Sequence, residues 1–430
     1  MRPSVPQMEK QLLSNAISTI RSNFLNRESV MFNPKSIMFK PRTALILIVA
    51  GIIMSTAAAD DEIVIGAATS NSGWMAAFDA GPTKAAQLAV DDINAKGGLL
   101  GRKLKLIAID TKTDESQTAK AAQALVEQNA VMIMTACDFD NGAPAALVAQ
   151  KANRLAISSC GADAKYGNLV IGNDVFTMAT DASTTGRIMA DWGTRKKGWK
   201  TAYVLVDTFI EYDKSLCRGF VERWKELNGP ASVVLEDSFK NADVSIASQI
   251  SRYRTLGKPA DAMMLCSVPP GLASTIRQFR SAGINIPVMA GTGGDGSAWH
   301  SAVPGLSDYF YLNYSADAGV KELRPDADQF FAKYEKKWGE RPESGQAITG
   351  YSVVQAWAKA VERAKSTDAA AVRAELEKFK DEPLAGGLTT FSAKLHIDQR
   401  RPMLVVDIKN GKPESLGYYD IRKGDYTKWW

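Results

Sequence analysis

Short apolar runs rich in β-branched residues alternate with helix-length amphipathic stretches along most of this chain, and that alternation leaves few folds open. Ile63–Gly66, Leu104–Ile109, Val131–Thr135 and Leu155–Ser158 read as strands. Between them, Thr83–Lys96, Ser116–Gln128 and Ala143–Asn153 carry apolar residues at helical spacing. Buried strands separated by helices form a parallel sheet covered on both faces. The rhythm restarts at Thr201–Val206. Helix Lys214–Asn228, strand Val233–Leu235, helix Val244–Leu256, strand Asp261–Cys266, helix Gly271–Ala282 and strand Ile286–Ala290 follow. This is a second α/β unit, with Val175–Asp181 as the expected crossing. Helices are expected over Asp326–Lys337, Ala347–Ala364 and Ala369–Phe379, then β-like segments at 387–397, 403–408 and 416–419. The aromatic stripe Phe330, Phe331, Tyr334 and Trp338 reads as core packing.

The N-terminus reads as an export signal. Met38–Arg42 is a short basic region, Ala44–Met54 is an apolar run of 11 residues, and Ala57-Ala58-Ala59 fits cleavage after Ala59. Such a run is shorter than the roughly 20 residues of a membrane span. Residues 1–37 precede the signal, and Met38 is a candidate initiator. The net charge of +5 comes from this N-terminal segment, because residues 60–430 carry 45 basic and 45 acidic residues. A nucleic-acid binder shows a basic excess, and the expected mature chain has none.

Catalytic signatures are missing. The two histidines, His300 and His396, lie far apart in sequence, which argues against a His-rich metal centre and a catalytic His. There is no P-loop and no Gly-x-Ser-x-Gly elbow. Gly291–Gly296 matches G-x-G-x-x-G, but it neither opens the first βαβ unit nor leads into a clear helix. It reads as a flexible ligand loop.

In open parallel sheets, ligands bind beyond the carboxyl ends of the strands. The loops there include Thr69–Trp74, Cys137–Gly142, Ser159–Asp163, Asp207–Tyr212, Cys266–Pro269 and the glycine loop with Asp295. They are acidic, aromatic and small, without Lys or Arg, and suit a cationic or zwitterionic small ligand. Helix capping is the competing use for Asp138, Asp140 and Asp207.

Ala86–Asp110 (AQLAVDDINAKGGLLGRKLKLIAID), after a short strand and a loop, resembles the opening of type I periplasmic binding proteins of branched-chain amino-acid ABC importers. Val204–Lys214, Ala282–Gly296 and Ile348–Glu362 are similar to the same family, so the resemblance covers nearly all of 60–430. It implies two doubly wound α/β lobes joined by three crossings and closing on a ligand. The expected division is 60–180 with 312–385, and 181–311 with 386–430. The resemblance places Asp138, Phe139 and Asp140 where the family has a Ser/Thr-rich carboxylate loop, a clear departure that disfavours ordinary leucine, isoleucine or valine specificity. It puts Ser159, Gly161 and Ala162 in the next ligand loop. Tyr212 matches a contact tyrosine, Val268 replaces another, Trp74 lies over the ligand side chain, and Asp295 is the candidate for the ammonium.

The expected function is therefore extracytoplasmic capture of a small amino acid, amide or acid for an ABC permease, by a monomer without enzyme activity, cofactor or metal. A ligand-sensing receptor of the same fold is the alternative. Four cysteines in an oxidising compartment allow two disulfides, or else buried thiols. Cys137–Cys160 and Cys217–Cys266 are the expected pairs. The first two sit at strand ends, and Cys217 is early in a helix lying over the strand end that carries Cys266.

Overall fold

The computed structural model describes residues 62–316 and 319–430. The expected signal at 38–59, its cleavage point and residues 1–37 lie outside the described residues.

The first sheet is all parallel. Its strands are β1 (Ile63–Thr69), β2 (Leu104–Asp110), β3 (Met132–Thr135), β4 (Leu155–Ser158) and β5 (Val175–Thr177), in the order β2-β1-β3-β4-β5. β1 pairs with β2 from Ile63↔Leu104 to Thr69↔Asp110. Helices α1 (Ala76–Ala95), α2 (Glu115–Glu127) and α3 (Phe139–Lys151) connect the strands. β1, β3, β4 and β5 are buried on most of their length, whereas the edge strand β2 is mostly half-buried or exposed.

After β5 the chain crosses into α4 (Ala182–Lys196) and the second sheet. There β6 (Ala202–Asp207), α5 (Glu211–Asn228), β7 (Val233–Phe239), α6 (Ala247–Arg254), β8 (Ala262–Cys266), α7 (Gly271–Ser281), β9 (Val288–Met289) and β10 (Tyr309–Asn313) follow. The chain then returns to the first lobe through α8 (Pro325–Trp338), α9 (Ala347–Ala364), α10 (Ala369–Leu376) and the hairpin β11 (Glu382–Leu384) with β12 (Gly387–Thr389). It crosses once more to β13 (Met403–Lys409), β14 (Lys412–Asp420) and β15 (Asp425–Tyr426). The second sheet has the order β15-β14-β13-β10-β9-β8-β6-β7, with β13 antiparallel to β10.

Two boundaries differ from the sequence reading. β10 runs to Asn313, past 311/312. Phe391 and His396 pack on the first sheet, past 385/386: their rings lie 5.3 and 3.8 Å from that of Phe176. Phe330, Phe331 and Tyr334 are buried in the core. α9 lies directly on α1, because Gly350 has no side chain; a Cβ there would sit 1.9 Å from the Pro82 carbonyl oxygen.

Both expected cysteine pairs are formed, with Cα separations of 4.4 Å for Cys137–Cys160 and 5.8 Å for Cys217–Cys266. Each lies within one lobe, so neither restrains the lobes against each other.

Candidate functional site

The carboxyl ends of both sheets face a cleft between the lobes. The first lobe lines it with Trp74, Met75, Phe78, Asp138, Ala162 and the Cys137–Cys160 disulfide. Ile210, Tyr212, Val268, Thr292 and Gly293 come from the second lobe, and Gln346 from the residue before α9. Among the described residues, none of the lining groups is Lys, Arg or His, and no cluster could hold a metal ion.

Asp138 is both cap and wall. Its Oδ2 accepts the Asn141 N–H at 3.1 Å and the Asn141 Nδ2–H at 2.8 Å, closing the first turn of α3. Its Oδ1 is buried with no hydrogen-bond partner. Burial, reinforced by Asp140, raises the carboxyl to about 6. Behind it, Asp79 on α1 accepts the N–H of Ser70 at 2.7 Å and of Cys137 at 2.8 Å, fixing the loops after β1 and β3. Burial raises Asp79 to about 7.

The second lobe is organised by Tyr212, in the first turn of α5. Its hydroxyl oxygen accepts the Gly293 N–H at 3.0 Å and lies 3.2 Å from Thr292 Oγ1. The approach requires glycine: a Cβ at 293 would meet Tyr212 Cε1 and Val268 Cγ1 at 2.9 Å. Gln346 Nε2 donates to the Thr292 carbonyl at 2.9 Å and to Asp295 Oδ1 at 3.0 Å. Asp295 Oδ2 accepts from Asn313 at 2.9 Å and Ser344 at 2.7 Å. Burial raises Asp295 to about 6.

The lobes touch along the mouth. The Trp74 and Phe209 ring centroids are 5.3 Å apart across the cleft. Asp140 Oδ2 accepts the Glu211 N–H at 3.0 Å, Lys165 pairs with Glu211, and Ser215 Oγ donates to Asp163 Oδ2. Lys165 and Lys214 hold the Glu211 carboxyl down at about 2.

Of the residues singled out in the sequence, Trp74, Asp138, Ala162, Tyr212 and Val268 come together on the cleft wall. The others lie outside the lining. Phe139 packs edge-on against Tyr166, and Asp140 joins the lobes at the mouth. Ser159 is buried, with Oγ 3.5 Å from Cys160 Sγ. Gly161 donates its N–H to Ser158 Oγ at 2.9 Å. Asp295, outside the lining, is engaged by Gln346, Asn313 and Ser344. Asp207, read as a capping candidate, accepts from Ser267 Oγ at 2.7 Å and from Asn241.

Sequence reasoning missed Asp79, Met75 and Gln346. α1 begins seven residues before the expected Thr83, because Pro82, inside the helix in its second turn, reads in sequence as a helix start. An acid in a helix's first turn was the available signal for Asp79. Gln346 carried no signal of its own.

Residues 62–413 match the periplasmic binding protein family. The chain is 24% identical to Leu/Ile/Val-binding protein homolog 7 of Brucella suis, covering 87% of this chain and 98% of the relative. Its fold is similar to that of LivJ from Streptococcus pneumoniae, a branched-chain amino acid transporter substrate-binding protein solved in complex with isoleucine. That likeness has a TM-score of 0.71 and 23% identity, covering 83% of this chain and 99% of the other. It is also similar to a solute-binding protein of an R. palustris ABC transporter solved in complex with benzoate, with TM-score 0.67, 18% identity, and coverage of 84% and 97%.

Proposed function

The chain belongs to the periplasmic binding protein family, and from that premise we propose that it captures a small organic solute between its lobes and delivers it to an ABC permease. The observation that carries this reading is the cleft itself. Residues of both lobes line it, apolar walls surround it, and a buried carboxylate oxygen in it lacks a partner. A small ligand that touches both walls favours the closed arrangement by its differential affinity.

Trp74, Phe78, Ile210, Tyr212 and Val268 would hold the apolar part of an amino acid or related amide or acid, with Asp138 on its amine or amide. The residues outside the wall, Phe139, Asp140, Ser159, Gly161 and Asp295, would shape the loops from behind. The protein works outside the cytoplasm, as its family does. In this reading cleavage after Ala59 leaves a monomer starting at Asp60.

Native mass spectrometry of protein purified from the periplasm without refolding tests the reading. A retained small molecule, released on unfolding, is the expected result. Addition of that molecule to stripped protein should reduce the radius of gyration in solution scattering. A chain that carries no small molecule and binds none from a broad panel of amino acids, amides and organic acids would defeat the reading.

A further inference from the structure

Resting on that reading, we propose that the cleft selects a small organic cation, an ammonium or amidinium group on an apolar body, and does not require a carboxylate on its ligand.

The polar groups left free in the cleft are acceptors. Asp138 is 3% exposed, and its Oδ1 has no partner although the residue lines the wall. Gln346 Oε1 lies 3.7 Å from Cys137 Sγ, a disulfide sulfur with no proton to donate, so this oxygen is also open. Behind the wall, outside the lining, Asp213 next to Tyr212 is fully buried and has two carboxylate oxygens without partners.

Several donors that could hold a carboxylate are engaged. The Gly293 N–H goes to Tyr212, and the Tyr212 and Thr292 hydroxyls bond each other, leaving one hydroxyl proton between them. The Gly161 N–H goes to Ser158. At the lobe seam Lys165 and Lys214 are both paired with Glu211.

Closure adds to the asymmetry. Burial raises the Asp213 carboxyl well above the ordinary range, reinforced by Asp207 of its own lobe and, in the closed arrangement, by Asp138 and Asp140 of the other. Closing on a cation offsets that repulsion, whereas closing on an anion adds to it. The faces of Trp74, Phe78 and Tyr212 suit a cationic head as well as an apolar body.

The test is calorimetry on stripped protein with ligands sharing one apolar body: isopentylamine, leucine and 4-methylpentanoate, then phenethylamine, phenylalanine and 3-phenylpropanoate, with benzamidine as the amidinium. An amine or the amidine should bind at least about tenfold more tightly than the matched acid. Asp138→Asn should weaken the cation by about tenfold or more and leave the acid unchanged or improved. Asparagine caps a helix as well as aspartate does, so an unchanged melting temperature separates charge from folding. Should the variant melt early, Gln346→Leu is the second test, with selective loss of the cation again expected. An amino acid or acid that binds while every amine and amidine fails would overturn the proposal and leave the receptor reading standing. So would equal weakening of cation and acid by Asp138→Asn. Absence of binding by any member, with no retained ligand in the native mass spectrum, would defeat both.

Discussion

Asp140 of the first lobe accepts the backbone N–H of Glu211 at the start of a second-lobe helix, at 3.0 Å. A carboxylate therefore sits at the positive end of α5, across the seam between the lobes. The contact belongs to the closed arrangement, since opening must separate the two residues. Asp140→Ala is expected to raise the radius of gyration of ligand-bound protein toward that of the free form. The dissociation constant should rise by about three- to tenfold, from a loss of about 1 kcal/mol. Unchanged scattering and affinity would place the seam's strength elsewhere.

Trp74 and Phe209 close the mouth with rings 5.3 Å apart. Phe209 is half exposed and makes no part of the cleft wall. Phe209→Ala should therefore act on closure alone, speeding ligand release by about two- to tenfold, in line with an aromatic pair worth about 0.5–1.5 kcal/mol. Stopped-flow release rates check this. A slowed association with unchanged release would indicate a different role.

The cysteine pairs close stretches of 23 and 49 residues in sequence. In the chain-entropy account each contributes about 3–4 kcal/mol. Unfolded, unreduced protein should give no free thiol with a labelling reagent. Reduction should lower the melting temperature and loosen the cleft floor that Cys137 and Cys160 form. Detection of four thiols before reduction would refute the pairing.

Asp79 ionises late because it is buried, at about 7 against an ordinary 3.8. Between those values the unfolded chain sheds a proton that the folded chain keeps, so this residue's contribution to stability falls as pH rises from 4 to 7. Two imidazoles work the other way below pH 6.5: half-buried His300, lowered to about 4 by desolvation, and buried His396, also lowered by burial. The difference between variant and wild type isolates Asp79. Asp79→Asn should cost about 1–3 kcal/mol at pH 5, where one of two N–H groups loses its acceptor. That deficit should shrink by about 2 kcal/mol by pH 8. Denaturant titrations at both pH values decide it, and a constant deficit would show that Asp79 is charged throughout.

The strands were legible because β-branched runs such as Ile63–Gly66 and Leu155–Ser158 need burial on both faces, and nothing in the chain competes with that signal. Helix interiors were legible too; α9 spans Ala347–Ala364 as its apolar period predicts. Helix beginnings were not. α1, α3 and α5 start seven, four and three residues before the expected Thr83, Ala143 and Lys214. Their first turns contain small residues or acids in place of an apolar stripe, and in α1 and α3 a proline follows in the second turn. Those same turns carry Asp79, Asp140 and Tyr212 to the cleft or its seam, so the site was hardest to read where it is built. Asp295 has the residue type for an ammonium partner, but its three donors become visible only when the glycine loop, β10 and the segment before α9 are brought together.

The first lobe is completed by a distant part of the chain. His396 bonds the Val175 carbonyl across a separation of 221 residues and stacks on Phe176 beside Phe391. The edge of that sheet therefore stays uncovered until nearly the whole polypeptide is available. In synthesis from the amino end the first lobe cannot complete its sheet edge early, because the closing segment is among the last to be made. The interleaving of the two lobes thus makes completion of the first wait for the C-terminal part of the chain.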